Sequence, residues 1–427
     1  MRVLVVGSGA REHALTARLA SERDVGELLC APGNPGIARL ARLISADLSR
    51  PDDLVEIVER KDVDFTIVGP ELPLSLGLAD RLAERDRLVF GPTAAAARLE
   101  SSKAFAKAFM ARHGVPTARF EVVDSAGAAT DALRSGRFGF PIVLKADGLA
   151  AGKGVVIAPD LDAAEAAVRD AMNDRRFGDA GLRLVIEECL SGPEVSFFVV
   201  ADGSRAVPIG AAQDHKRIFD DDRGPNTGGM GAFAPSPLVD DPLHQRVMSE
   251  IVNPVIAGMA LEGHPFHGFL YVGLMLTADG PKVIEFNVRL GDPEAQVVLP
   301  RIAEPILPLL VAGAAGRLRQ TTCRLSPDHL VGVVLASHGY PESSQSDCAI
   351  DGIAAAEQIP GVSVFHAGTR VRDGQLVTSG GRVLTVVGAG PDFQEAIRRA
   401  YAGVENISFE GMQYRRDIGK KALQQAP

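Results

Sequence analysis

Residues Lys282 to Glu294 read KVIEFNVRLGDPE, and this alternation constrains the fold more than any other stretch. Ile284, Phe286, Val288 and Leu290 share one parity; Glu285, Asn287 and Arg289 share the other. Successive strand side chains point to opposite faces, so the pattern predicts a half-buried strand over Lys282 to Leu290. At about 3.3 Å per residue the three polar groups stand in a row, each roughly 6–7 Å from the next. A carboxylate beside an amide oxygen offers the hard ligands that Mg²⁺ takes. The guanidinium beyond them offers a fork for phosphate or carboxylate. A surface strand with a chance ion pair explains the same letters, so the surrounding chain has to decide. Gly291-Asp292-Pro293 ends the strand at a turn. Phe269 to Leu276, just upstream, is largely apolar and joins through Asp279-Gly280, which makes an antiparallel hairpin whose other arm supplies no carboxylate.

Composition narrows the classes. A length of 427 residues suits about three domains with ample core. Hydrophobic residues at 46% and charged residues at 23% are ordinary for a globular chain. A net charge of −9 argues against a broad nucleic-acid surface. Cys30, Cys189, Cys323 and Cys348 show no CxxC spacing, so they form neither a zinc cluster nor a dense disulfide frame, and a reducing cytoplasm is the simplest reading. The first apolar run is too short for a signal segment. No run reaches the roughly 18 apolar residues of a membrane helix.

In chain order, strands at Arg2 to Val6, Glu27 to Cys30, Asp64 to Val68 and Leu88 to Phe90 end in Gly/Pro turns and alternate with helical patterns. That predicts an open parallel sheet, with ligands beyond the strand carboxyl ends. Gly9, Arg11, Asn34 and Glu71 lie at those ends. The Gly7-Ser8-Gly9 turn invites a dinucleotide reading, but Glu12 stands where a GxGxxG motif has its third glycine. A helix from Lys103 to His113, capped by Ser101 or Ser102, carries Lys103 in its first turn, where a nearby anion or plain solvation accounts for the cation. Pro141 to Lys145 and Val155 to Ala158 read as a hairpin around a glycine-rich loop holding Gly152, Lys153 and Gly154. The sequence is no Walker A motif, yet bare loop amides and lysines can cradle a polyphosphate. Leu182 to Glu188 is a further strand, whose two final acids are either a strand end meeting water or a hinge beside a base. Gln213 to Arg217 and the glycine-dense run to Gly231 suit a ligand loop better than a linker.

A lysine strand, a glycine-loop hairpin, an acidic hinge and Glu-x-Asn-x-Arg on a late strand together resemble the ATP-grasp fold. More specifically, Gly7-Ser8-Gly9-Ala10-Arg11-Glu12-His13, Gly69-Pro70-Glu71, Gln213-Asp214-His215-Lys216-Arg217, Gly224 to Ala232, Arg289 to Glu294 and Tyr414 to Gly419 resemble the phosphoribosylamine–glycine ligase family over nearly the whole chain. Ala10 stands where that family usually has Gly, and Leu290 where it usually has Phe. The resemblance implies an α/β and α+β multidomain protein: an N-terminal open parallel sheet (1–101), an ATP-grasp small lobe (102–190) and large lobe (191–324), and a C-terminal α+β module (325–427). It implies that ATP phosphorylates glycine and that 5-phosphoribosylamine attacks the acyl phosphate, giving glycinamide ribonucleotide, ADP and phosphate. It assigns Lys103, Lys145, Gly152, Lys153, Gly154, Glu187, Leu190 and Glu194 to ATP. Glu285 and Asn287 fall to Mg²⁺ or Mn²⁺, Arg289 and Asp214 to the glycine and its acyl phosphate, and Gly9, Arg11, Asn34 and Glu71 to phosphoribosylamine. A cytoplasmic monomer without nucleic-acid or membrane partners is expected. The alternatives are another ATP-grasp carboxylate–amine ligase, an NAD-dependent oxidoreductase built on Gly7-Ser8-Gly9, and a non-catalytic nucleotide sensor.

Overall fold

Each apolar run at the N-terminal end becomes a parallel strand, because both faces of this sheet are covered by helices. The computed structural model describes residues 1–148, 154–175 and 178–425. The first sheet has the strand order Arg42–Leu43, Glu27–Pro32, Arg2–Gly7, Phe65–Val68, Val89–Phe90. The chain winds to one side of Arg2–Gly7 and then to the other, so the carboxyl ends of Arg2–Gly7 and Phe65–Val68 border a switch-point crevice.

A second, four-stranded antiparallel sheet runs Phe120–Val123, Leu184–Glu188, Ile142–Ala146, Val155–Ala158. Helices Ala126–Arg134 and Leu161–Val168 cover it, burying Ala129, Leu133, Leu144 and Ile186. Gly154 closes the hairpin by accepting from Ala146 N at 2.8 Å. Gly152 and Lys153 lie outside the described residues.

The third sheet has eight strands: Gly280–Asn287, His267–Thr277, Glu194–Asp202, Ala206–Asp214, Gly231–Ala234, His329–Ala336, Arg382–Gly390, Val362–His366. It is continuous from the Glu-x-Asn strand at one edge to the C-terminal strands at the other, joined where Gly231–Ala234 pairs with His329–Ala336. The C-terminal α+β segment therefore shares a sheet with the central region. The helix Phe393–Asn406 packs on it through Phe393, Ala396, Ala400 and Val404.

The Lys282 to Leu290 strand is shorter than its alternation predicts. It spans Gly280–Asn287, and its register against His267–Thr277 slips where Gly273 faces Glu285 and Leu274 faces Val283. Ile284 is thus bulged and only half-buried, while Val283, Phe286, Val288 and Leu290 are buried. Past Asn287 a side chain replaces the ladder: Val288 N donates to Glu100 Oε2 at 2.8 Å.

Candidate active site

Three elements bring lysines to one place. Ser102 caps the helix Lys103–Arg112 by accepting from Phe105 N at 3.1 Å, which sets Lys103 in the first turn. Lys103 Nζ donates to Gly148 O at 2.9 Å. Lys145, one from the end of its strand, donates to the carbonyl of the bulged Ile284 at 2.8 Å. Burial lowers the Lys103 pKa and neighbouring Lys145 adds to this, with Glu285 opposing. One turn along the helix, Lys107 is buried and lies 2.9 Å from Glu187, whose other oxygen is 3.1 Å from Lys145. Burial pushes the Lys107 pKa down to about 8. The Glu187 side chain is therefore the anionic centre of a buried lysine pair. Sequence reasoning missed Lys107, although i and i+4 spacing from Lys103 places both on one helix face. Leu190 follows the Leu184–Glu188 strand and is half-buried.

Glu285 and Asn287 project from the edge strand two residues apart. The Glu285 side chain is 43% exposed, and its nearest ion-pair partner among the described residues is Lys216 Nζ at 3.9 Å, beyond hydrogen-bond reach. Burial raises its pKa, but Lys216, Lys145, Lys103 and Arg289 outweigh that and hold it ionised. No group of three or more His, Cys, Asp or Glu side chains arranged to hold a metal occurs among the described residues. An ionised carboxylate whose oxygens accept no hydrogen bond from the described residues, next to an amide, fits a hard divalent cation that draws its remaining ligands from phosphate and water.

Lys216 joins this strand to a second acidic group. Its ammonium lies 2.6 Å from Glu194 Oε2. Asp214, two residues before it, is partly buried, and its pKa is pushed up to about 7 by burial, with Lys216 opposing and Glu294, Glu194 and Glu285 adding to the rise. Glu294 is buried, accepts from Ser196 Oγ at 3.0 Å, and is likewise raised by burial. Tyr271 OH lies 3.1 Å from the same Ser196 oxygen. Tyr271 and Ser196 were not identified as site residues from sequence, and Glu294 entered only as the end of the Gly291-to-Glu294 turn; the three come from separate strands and one turn, so no linear spacing relates them.

Arg289 does not continue the row of Glu285 and Asn287. With the strand ended, its guanidinium turns to Glu71 at 3.0 Å, Glu100 at 2.9 Å and Leu290 O at 3.1 Å. Burial opposes its charge, but Glu100 and Glu71 outweigh this and hold its pKa well above the ordinary value. Burial conversely raises the Glu100 pKa against the pull of Arg289. Arg11 is buried, pairs with Glu12 at 2.6 Å and donates to the same Leu290 carbonyl at 3.1 Å. The first glycine turn wraps its own carboxylate. Gly9 N donates to Glu12 Oε2 at 2.6 Å, and a Cβ on Gly7 or Gly69 would stand 2.4 or 2.3 Å from Glu12 atoms. That carboxylate takes the Gly9 N–H that a GxGxxG turn would offer to a pyrophosphate, which argues against the oxidoreductase reading. Asn34 is saturated: its amide donates to Ser8 O and His366 O at 2.9 and 2.8 Å, and its oxygen accepts from Gly36 N and Ile37 N at 2.9 and 3.0 Å.

Known proteins match this arrangement from end to end. Family models for the N domain, the ATP-grasp (A) domain and the C domain of phosphoribosylglycinamide synthetase match residues 1–100, 101–295 and 330–421. Proteins named phosphoribosylamine–glycine ligase from Neisseria meningitidis serogroup A and Xylella fastidiosa strain Temecula1 are 48% and 49% identical, over 99% of this chain and 100% and 98% of theirs. A crystal structure of phosphoribosylamine–glycine ligase from Thermotoga maritima superposes with a TM-score of 0.84 at 34% identity, covering 98% of this chain and all of that one. A biotin carboxylase from Campylobacter jejuni, at 15% identity and a TM-score of 0.73, shares the fold alone. The chain belongs to the phosphoribosylglycinamide synthetase family, ATP-dependent carbon–nitrogen ligases that make glycinamide ribonucleotide in purine biosynthesis.

Proposed function

We propose that the amide is built where Lys103, Lys145 and Lys216 converge on Glu285. The reading is carried by the Lys216 ammonium at 3.9 Å from Glu285 and the Lys145 ammonium on the carbonyl of the neighbouring Ile284, with Lys103 tied to Gly148 beside them. Lys103 and Lys145 meet the ATP phosphates, together with the Gly152–Gly154 segment. Main chain near Glu187 and Leu190 borders the base, and Glu194 faces the ribose. Glu285 and Asn287 hold Mg²⁺ or Mn²⁺, which when bound neutralises phosphate charge. A glycine carboxylate oxygen attacks the γ-phosphorus and the bond to ADP breaks. The amine nitrogen of 5-phosphoribosylamine then attacks the acyl carbon, phosphate leaves, and the surplus amine proton passes to Asp214. Phosphoryl transfer of this kind depends on positioning and charge more than on a protein nucleophile. Arg289, fixed by two carboxylates, supports the wall beside the glycine. The sugar phosphate lies near Gly9 and Arg11, and Glu71 and Asn34 shape that end from behind. We take 1–101, 102–190, 191–324 and 325–427 as the working domains. We also take the enzyme to be a monomer and to work in the cytoplasm, a compartment with which its four free cysteines agree.

A substrate panel tests this. ADP release should require Mg²⁺ or Mn²⁺, glycine and phosphoribosylamine together. Product from another amino acid, with none from glycine, would overturn the substrate assignment.

A further inference from the structure

The glycine-dense run from Gly224 to Gly231 is held by residues more than a hundred positions away in sequence. Arg382, the first residue of the strand Arg382–Gly390, donates through Nη1 to Gly228 O at 2.6 Å and to Asp292 O, and lies 3.5 Å from Asp292 Oδ1. Tyr340 OH accepts from Gly228 N at 2.9 Å. The backbone leaves no slack at this point. Gly229 has φ +109°, and a Cβ there would stand 2.4 Å from Pro293 Cδ. A Cβ on Gly228 would crowd both the Arg382 guanidinium, at 3.1 Å, and the Tyr340 hydroxyl, at 3.3 Å. The run is thus pressed between the Asp292-Pro293 turn and two C-terminal side chains.

Thr227, in the middle of the same run, holds Lys216. Thr227 N and Oγ1 donate to Lys216 O at 2.7 and 2.8 Å, and Gly229 N donates to Thr227 Oγ1 at 3.0 Å. Fixing Gly228 therefore fixes Thr227, and Thr227 fixes the main chain of Lys216. The ammonium of Lys216 in turn reaches Glu194 at 2.6 Å and comes within 3.9 Å of Glu285. A series of hydrogen-bonded groups thus runs from the C-terminal region to Lys216 and Glu194, and the last 3.9 Å, from the Lys216 ammonium to the carboxylate we assign to the metal, is spanned by charge alone.

We propose that Arg382 and Tyr340 are positioning residues for the ligation reaction: the C-terminal region clamps the glycine run and so sets Lys216 against Glu194 and Glu285. The proposal rests on the functional reading above only for the role of Lys216; the clamp itself is a matter of geometry. Arg382→Met removes the donors and keeps the bulk. It should lower kcat at least tenfold, move KM for ATP less than twofold, and speed amide hydrogen exchange across 227–231. Arg382→Lys restores donors to the two carbonyls and should recover most of the exchange protection and kcat. Tyr340→Phe deletes one acceptor and should give the same pattern more weakly, while leaving the fold intact if Arg382→Met does not fold. Near-normal kcat in Arg382→Met and Tyr340→Phe overturns the proposal. So does a parallel rise in KM for all three substrates together with global loss of exchange protection. If the wild-type chain makes no glycinamide ribonucleotide, the functional reading fails while the exchange data still judge the clamp.

Discussion

Asn34 separates a ligand contact from a structural pin. It stands at a strand carboxyl end, where sequence reasoning expects phosphoribosylamine contacts, yet it is 5% exposed and makes four hydrogen bonds. Two of these tie the N-terminal turn at Ser8 to His366 in a C-terminal strand. Asn34→Ala removes all four and leaves buried main-chain groups without partners. At about 1 kcal/mol net per bond this is roughly 4 kcal/mol, within a range of about 2–6. Asn34→Asp keeps the two acceptor bonds but turns a carboxylate oxygen toward two carbonyls, so it should cost about as much or more at neutral pH. Its pH dependence has a definite sign. The new carboxyl would have a folded pKa raised above its unfolded value of about 3.9. Its stability contribution is then full below that value and lost as pH rises through the folded pKa. The variant should therefore recover stability on mild acidification, whereas Asn34→Ala should not. The chain has no Trp, so guanidinium titrations followed by far-UV circular dichroism suit the measurement better than intrinsic fluorescence. KM for phosphoribosylamine is then measured well below the melting temperature. A wild-type denaturation midpoint in Asn34→Ala, combined with a tenfold higher KM, would refute the structural assignment.

Two further substitutions address the reaction. Glu285→Gln should lower turnover at least a hundredfold and leave the unfolding free energy within about 0.5 kcal/mol of wild type, because the side chain is 43% exposed and, among the described residues, has no ion pair closer than 3.9 Å; near-normal turnover at low Mg²⁺ would exclude it as a metal ligand. Wild-type kcat/KM should rise with pH through about 7 as Asp214 loses its proton, and Asp214→Asn should be slow and lack that limb. The raised Asp214 pKa also means that its stabilising contribution is present below the unfolded value and lost as pH rises through about 7. Asp214→Asn should thus gain stability relative to wild type at pH 8 and not at pH 4; an unchanged pH–rate profile in the variant would remove Asp214 from proton transfer.

Local pattern carried much of the fold. Glycine and proline turns after short apolar runs announced the parallel sheet, and period-two alternation announced the late hairpin. What local pattern could not carry was competition from distant charge. Arg289 has the parity of Glu285 and Asn287, but Glu71 and Glu100 lie 218 and 189 positions away in sequence and outcompete the strand for it. The bulge at Ile284 is similarly invisible to alternation, since it depends on register against Gly273 and supplies a carbonyl to Lys145. The C-terminal strands read as a separate module because their strand pattern is complete in itself; only pairing across Gly231–Ala234 joins them to the central sheet.

The partners of the cations sort them by role. Arg289 and Arg11 each face a carboxylate within 3.0 Å, and pulling either away would strand a buried anion, a loss of several kcal/mol that a ligand would have to offset. Lys103 rests on a neutral carbonyl, Gly148 O, and Lys145 divides itself between Ile284 O and a Glu187 oxygen that Lys107 continues to neutralise from the other side of the carboxylate. A triphosphate arriving at these lysines replaces a carbonyl, not a sole counter-ion, and gains a charge-assisted bond worth roughly twice a neutral one. On the proposed reading the buried Lys107, by holding Glu187, leaves Lys145 available to phosphate. On the same reading Lys103 and Lys145 meet the phosphates and the two arginines frame the site, although all four carry the same formal charge.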